Sequence, residues 1–321
     1  MKGKTVQTKP LVVKTNIIEV PRNILKLHKD VVLEADLYYV NGLCFIGSIS
    51  HKILCSTSQL LMNRETVSII ESLKQIVFFY NRCSFRVIEI RMDPKFDGDN
   101  YYHLVSKIGP KLNICGTKDH CPLQERNTRV IKERVRCLWS VLPYRKHVPK
   151  GITIGMVNFS ILWLNGFPRK GGISKTISPR MLTTGVRLDY NTHCRCEFGA
   201  LVQTHDDPQD KNNAHGEDRS TGAICLGPLG NQQGTYRFYS LNTKRLLKRG
   251  NWTEIPMTLD VVKRIIEIGQ QEKAVKGLQF ADRNKTLMEH YTGDESNIAG
   301  VYDEELEDED DVRFITCIVF H

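Results

Sequence analysis

Residues 31–40, Val-Val-Leu-Glu-Ala-Asp-Leu-Tyr-Tyr-Val, constrain this chain more than any other stretch. They are rich in β-branched and aromatic residues and read as a buried strand, yet they carry Asp36 near their centre. An acid inside an apolar strand is costly unless it is paired or binds a metal. Asn41-Gly42 follows as a strong two-residue hairpin signal, with Leu43–Ile49 as the returning strand. Residues 53–57 read as a third strand, which completes an antiparallel meander. Any fold of this chain has to place an acid inside a sheet.

Downstream, Val67, Ile70, Leu73, Ile76, Val77 and Tyr80 recur at three- and four-residue steps and predict an amphipathic helix over 65–82. Phe85–Ile90 is the next strand. Arg91-Met92-Asp93 carries the chain off its end, and Pro94 makes a further strand residue unfavourable. Residues 113–119 read as loop, 125–139 as a basic helix and 153–165 as an apolar, buried helix. This order predicts an α/β layer fold, a mixed sheet flanked by helices. Beyond Ser178-Pro179, short strands over 198–204, 221–226, 235–241 and 245–252 predict a small antiparallel barrel. The insert 206–219 reads as a polar mobile loop. The run 303–311 reads as an acidic disordered tail, and the apolar end 314–320 fits neither reading.

Charge narrows the function. The 321 residues carry a net +9, unevenly spread. Residues 257–321 hold 15 acidic and 7 basic side chains, a net of −8, and residues 1–256 carry the remaining +17. A basic body suggests a polyanionic partner, nucleic acid first. No run of about 18 apolar residues is present to cross a membrane. The basic N-terminus leads into no apolar segment of a secretion signal. Ten scattered cysteines read as reduced thiols of the cytosol or nucleus rather than a disulfide framework. His193-Cys194-Arg195-Cys196 lacks a second pair at zinc-finger spacing and is a weak metal signal.

Three acids fall in an order that carries chemistry. Asp36 lies in the first strand, Asp93 at the exit of the strand after the helix, and Glu125 on the following helix, 57 and 32 residues apart. Strand, strand and helix can bring them to one sheet edge. Three carboxylates there would repel one another and bind divalent cations. Two such ions activate an attacking oxygen and stabilise a leaving one in phosphoryl transfer. Each acid also has a plainer reading. Glu125 suits a helix first turn by the macrodipole, and Asp93 suits a turn before proline. Glu34, Glu89, Asp97, Asp99 and Glu133 compete for the role, and Glu34 shares a strand face with Asp36. Arg129, Lys132 and Arg136 form one helical stripe headed by Glu125, placed to hold phosphates. Lys244, Arg245, Lys248 and Arg249 add a basic group in the barrel.

Several segments together resemble the integrases of copia-type retrotransposons. Cys121-Pro122-Leu123-Gln124-Glu125-Arg126 through Ile131-Lys132-Glu133-Arg134 resembles their glutamate helix. Ser160-Ile161-Leu162-Trp163-Leu164-Asn165-Gly166-Phe167-Pro168 resembles their helix ending in an Asn-x-x-Pro turn. Thr176–Arg180 with Thr183-Thr184-Gly185 resembles the stretch that follows. Phe198-Gly199-Ala200, Val202–His205, Thr221-Gly222-Ala223, Tyr239-Ser240-Leu241 and Asn251-Trp252-Thr253 resemble the small barrel beyond the core. The resemblance spans roughly residues 30–285 and is looser in its first half. The cluster Asp119–Gln124 is less acidic than its family counterpart.

The resemblance implies an RNase H-like catalytic domain over 31–185, after a basic segment 1–30. An SH3-like β-barrel over 194–256 and a helix with an acidic tail over 257–321 would follow. It implies that Asp36, Asp93 and Glu125 are the catalytic residues and bind two Mg²⁺ or Mn²⁺ ions. The implied partners are element-end DNA and host target DNA, with a homo-oligomer, no membrane, and a nuclear site of action after cytoplasmic assembly. The Tyr-x-Asp-Asp signature of a reverse transcriptase does not occur, so the chain is expected to be a piece of an element polyprotein. Two other readings stand beside DNA strand transfer: an inactive DNA-binding remnant, and a protein-interaction module.

Overall fold

Eleven residues of extended chain, β1 (Asp30–Val40), organise the first sheet. The computed structural model describes residues 17, 18, 20–116, 121–205, 220–281 and 285–291. The expected acidic tail, the apolar end, the insert 206–219 and most of the N-terminal segment lie outside these. A short helix, α1 (Arg22–Leu27), precedes β1. Nearly all of β1 is buried, because both faces of a central strand are covered. Leu33, Ala35, Leu37 and Tyr39 face one apolar core, while Tyr38 and Val40 face another. By the two-residue period of a strand, Glu34 and Asp36 share the face of Tyr38 and Val40.

Asn41 and Gly42 have φ of 50° and 74°, the two left-handed positions that a type I′ hairpin requires. They return the chain as β2 (Leu43–Ser50), antiparallel to β1. The third strand starts later than the sequence suggests. Lys52 and Leu54 turn with φ of 63° and 57°, so β3 runs Ser56–Leu61 rather than over 53–57. Helix α2 (Thr66–Arg82) buries Ile69, Leu73, Ile76, Val77 and Tyr80. The chain then enters β4 (Arg86–Met92), which pairs parallel to β1. A 3₁₀ turn at Pro94–Phe96, helix α3 (Asp99–Ile108) and strand β5 (Lys111–Ile114), parallel to β4, complete this side. The sheet therefore combines an antiparallel meander with two parallel strands.

Helices α4 (Pro122–Ser140) and α5 (Lys150–Gly166) cover the opposite face. After the short helices α6 (Pro179–Thr184) and α7 (Tyr190–His193) come five strands. These are β6 (Leu201–His205), β7 (Ser220–Pro228), β8 (Tyr236–Ser240), β9 (Leu246–Arg249) and β10 (Trp252–Glu254). They form an antiparallel sheet in the order β10-β6-β7-β8-β9, where a barrel was expected. The single strand expected over 245–252 is divided into β9 and β10. Cys225, Tyr236, Phe238, Val202 and Trp252 give this sheet its own apolar cluster.

The chain then returns to the first sheet. Helix α8 (Leu259–Gln271) leads into β11 (Leu278–Ala281), which pairs antiparallel with β1, and into β12 (Leu287–Tyr291). The reading of 257–321 as a helix and a tail did not contain these strands. Asn41 closes the joint: its N–H donates to the Gln279 carbonyl at 2.9 Å, and its Oδ1 accepts from the Gln279 N–H at 2.8 Å.

Helix α5 lies between the two sheets, and two glycines let it do so. A Cβ at Gly151 would stand 2.6 Å from the Tyr239 ring, and one at Gly155 would stand 2.8 Å from Leu226. Both neighbours belong to the second sheet, and both pack in the core that α4, α5 and α8 share. Gly151→Val should therefore cost about 1–3 kcal/mol by overpacking. Urea denaturation measures this, and stability within about 0.5 kcal/mol of the parent would disprove the close fit.

Candidate active site

The register of two strands sets two of the expected acids just beyond the end of their pairing. The last paired residues of β1 and β4 are Glu34 and Arg91. Two residues further on stand Asp36 and Asp93. On the same edge of β1, the next pairs are Tyr39 with Ala281 and Val40 with Phe280 of β11. Asp36 thus sits at a fork where β4 leaves and β11 has yet to join. On the other edge of β1 it lies opposite Gly47 of β2. The Asp36 Oδ1 accepts the Leu37 N–H at 2.7 Å. Asp93 is buried and caps the 3₁₀ turn, accepting the Lys95 N–H at 3.4 Å.

That turn also delivers a cation. The Lys95 ammonium lies 3.7 Å from Asp36 Oδ1 and 5.0 Å from the centroid of the Phe96 ring. Burial pulls the Lys95 pKa below its ordinary value, Asp36 opposes this, and Arg64 adds to the fall. Arg64 itself stands 6.0 Å from the Tyr39 ring centroid. The nearby Cys44 thiol is pushed up by burial, against the pull of its bond to Tyr39 and the charges of Arg64, Lys95 and Lys285. The acids are therefore rimmed by cations. Sequence reading missed Lys95 and Arg64; the one signal was a lysine two residues past Asp93 on a proline turn.

Glu34 fixes the third element. It is 3% exposed and lies beneath the N-terminus of α4. Its Oε2 accepts the Gln124 N–H at 2.9 Å, and its Oε1 faces His51 Nε2 at 2.8 Å. Burial raises its pKa. The hydrogen bonds from His51 and from the Gln124 and Leu123 N–H groups outweigh burial, so the net shift is downward. A carboxylate under a helix N-terminus is also favoured by the macrodipole. Gly47 completes the seat, because a Cβ there would stand 2.5 Å from Gln124 Nε2 and 2.9 Å from the Tyr38 ring.

Once seated, α4 buries Gln124, Asn127, Ile131, Val135 and Trp139. Glu125 and Arg129 then fall on its exposed face. Glu125 is in the first turn, as expected. Among the described residues, no group of three or more His, Cys, Asp or Glu side chains is placed to hold a metal ion. Asp36 and Asp93 follow the last pair of β1 and β4, and Glu125 lies on the helix whose Gln124 N–H bonds Glu34.

The basic stripe is divided. Lys132 Nζ donates to the Ala281 carbonyl at 3.1 Å and lies 5.8 Å from the Phe280 ring centroid. Arg136 donates to the Tyr291 hydroxyl at 2.8 Å and stands 3.6 Å from Glu289. Both cations clamp the β11–β12 hairpin, so their spacing reflects a structural contact. In the second sheet, Lys244 reaches Gln271 at 2.8 Å and Arg249 the Lys248 carbonyl at 3.2 Å, while Arg245 and Lys248 are exposed. His193 is buried with both ring nitrogens against the backbone carbonyls of Asp189 and Asn231, each at 3.0 Å.

No family model matches the chain, and no curated protein matches it. Among solved structures, it is similar to the catalytic core domain of BIV integrase. The likeness is 14% identical, covers 47% of this chain and 92% of that one, and has a TM-score of 0.35. A TM-score of that size fixes neither a shared topology nor a shared chemistry.

The seat of α4 gives a pH-dependent prediction. Glu34→Ala leaves a buried N–H and His51 without their acceptor and should cost about 1–3 kcal/mol at pH 7. Because the folded pKa of Glu34 lies below its ordinary value of 4.5, its contribution is present above that pH. It drains away as pH falls through the folded value. Urea midpoints of parent and variant should converge as the pH drops below 4.5; a constant gap would refute this role.

Proposed function

We propose that the chain is a polynucleotidyl transferase of the integrase type, joining DNA ends to target DNA with Asp36, Asp93 and Glu125 at its centre. The observation that carries this reading is the strand fork. Parallel pairing of β1 and β4 runs to Glu34 and Arg91, two residues before Asp36 and Asp93, and Glu34 accepts the Gln124 N–H in the first turn of α4. Asp36 and Asp93 supply hard oxygen donors of the kind that Mg²⁺ or Mn²⁺ takes. The ammonium of Lys95 lies 3.7 Å from Asp36, and its attraction to that carboxylate supports the reading. Glu125 would join them as the third donor. Bound there, the divalent ions would supply an acidified attacking oxygen and charge stabilisation for the leaving one.

The chain's own residues do the rest. Glu34 positions Glu125 by fixing the helix that carries it. Lys95 and Arg64 attract the phosphodiester towards the acids, and Arg129 extends that field along α4. In this reading, the five-stranded sheet is a small SH3-like barrel whose exposed Arg245 and Lys248 contact the DNA backbone. The chain would act in the nucleus as a homo-oligomer on element-end and host DNA.

Strand transfer of labelled element-end DNA with Mg²⁺ or Mn²⁺ tests this. Asp36→Asn, Asp93→Asn and Glu125→Gln should each lower the rate by about 10²–10³, the equivalent of several kcal/mol of charge stabilisation. Activity untouched by any of the three would sink the assignment. Salt-dependent DNA binding without activity would favour the remnant reading, which the same basic rim supports.

A further inference from the structure

We propose that the cleft between β3, α5, α6 and β8 is a second anion site, built to hold one phosphate group through Arg180 and Arg237. It has a volume of about 390 Å³ and is lined in part by Ser58, Gln59, Asn158, Arg180, Thr184 and Arg237, with neither Asp36, Asp93 nor Glu125 in its lining. No acidic residue lines it.

Among the described residues, neither arginine has a counter-charge. Arg180 spends one N–H on the Gly230 carbonyl, and its Nε is buried with no hydrogen-bond partner. Arg237 makes no hydrogen bond or ion pair through its guanidinium to any described residue. Its strand register places it directly opposite Lys248 of β9, so two like charges share one face of the sheet, an arrangement that is destabilising by itself. Burial pulls the pKa of both arginines down, the mark of charge removed from water without compensation. A desolvated, unpaired guanidinium costs free energy that a doubly accepting oxyanion offsets with paired hydrogen bonds. The neighbouring hydroxyl and amide groups suit the remaining phosphate oxygens.

The phosphate has two sources, the DNA backbone or a free phosphate ion, and the first rests on the nucleic-acid reading above. Binding of a fluorescent duplex to the full chain in EDTA, at several salt concentrations, addresses the first source. Titration calorimetry with inorganic phosphate addresses the second. Among the described residues Arg237 has no hydrogen-bond or ion-pair partner, so Arg237→Gln should melt no lower than the parent. It should weaken duplex binding about tenfold or more and lower the slope of log K against log salt by roughly 0.9. The exposed Lys263→Gln serves as the control and should leave that slope near the parent's. An altered duplex slope supports a backbone phosphate. A phosphate heat lost in Arg237→Gln, with an unchanged duplex slope, supports a free ion. Neither change would overturn the site.

Phenylglyoxal labelling of the unmodified chain gives a readout free of any folding defect. Duplex or phosphate should protect Arg180 and Arg237, and equal labelling with and without them would overturn the site. Strand transfer that survives in Arg237→Gln but dies in Asp36→Asn would separate failure here from failure of the proposed activity.

Discussion

The buried carboxylate of Glu34 is the contact on which the rest of this architecture depends. It sits in the central strand, with almost no water, under the first turn of a nineteen-residue helix. A buried charge is tolerated only when its lone pairs are satisfied. Here they are satisfied by His51 on one side and by backbone N–H groups that a helix start leaves without intrahelical partners on the other. Each partner solves the other's problem. The helix is held at one rotation as a result, because the Gln124 N–H is fixed in place. With Gln124 inward, helical periodicity sends Asn127, Ile131 and Val135 inward and Glu125 and Arg129 outward. The position of the candidate catalytic glutamate is thus set by an acid two residues before Asp36 on the same strand face.

What the sequence made legible follows from the range of each interaction. The meander, α2, β4 and α4 were readable because their patterns are local: strand composition, a two-residue turn, and a 3.6-residue stripe. Strand β3 was misplaced by three residues because Lys52 and Leu54 take left-handed backbone conformations that no residue type there announces. Helix α3 and strand β5 were missed for want of pattern, since α3 buries only Val105 among its ten residues and β5 has four residues. The hairpin β11–β12 was missed for a different reason. Its partners, Tyr39 and Val40, lie about 240 residues earlier, and nothing in Leu278–Ala281 names them.

The same distinction governs the candidate site. Asp36, Asp93 and Glu125 stand out in the sequence by type and order, and the fold places them at a strand fork, a turn and a helix start. The roles of Lys132 and Arg136 were not legible, because the groups they touch arrive on the returning hairpin some 150 residues later. A cationic stripe at helical spacing looks the same whether it faces a phosphate or a carbonyl edge. Arg237 shows the converse. It is unremarkable in a short alternating strand, and only the fold sets it half-buried in a cleft without an acidic lining residue.

The fork beside Asp36 explains why an acid is placed in a strand at all. Along one edge of β1 the ladder is parallel to β4 up to Glu34 and antiparallel to β11 from Tyr39. The two partners run in different senses, so neither pairs with the residues between. An interrupted ladder inside a sheet opens the backbone to an outside molecule, as at the switch points where open α/β sheets bind ligands. A hydrophobic residue there would bury the gap and close it. A carboxylate keeps it polar and draws the Lys95 ammonium to 3.7 Å. Glu34, held ionised by its own donors, adds to the local field: burial and Cys115 push the Cys121 thiol up first, and the charges of Glu34 and Asp36 add to the rise. The negative charge at the fork thus comes from Asp36 and Asp93 together with Glu34, and the cations around them set which ligands it meets.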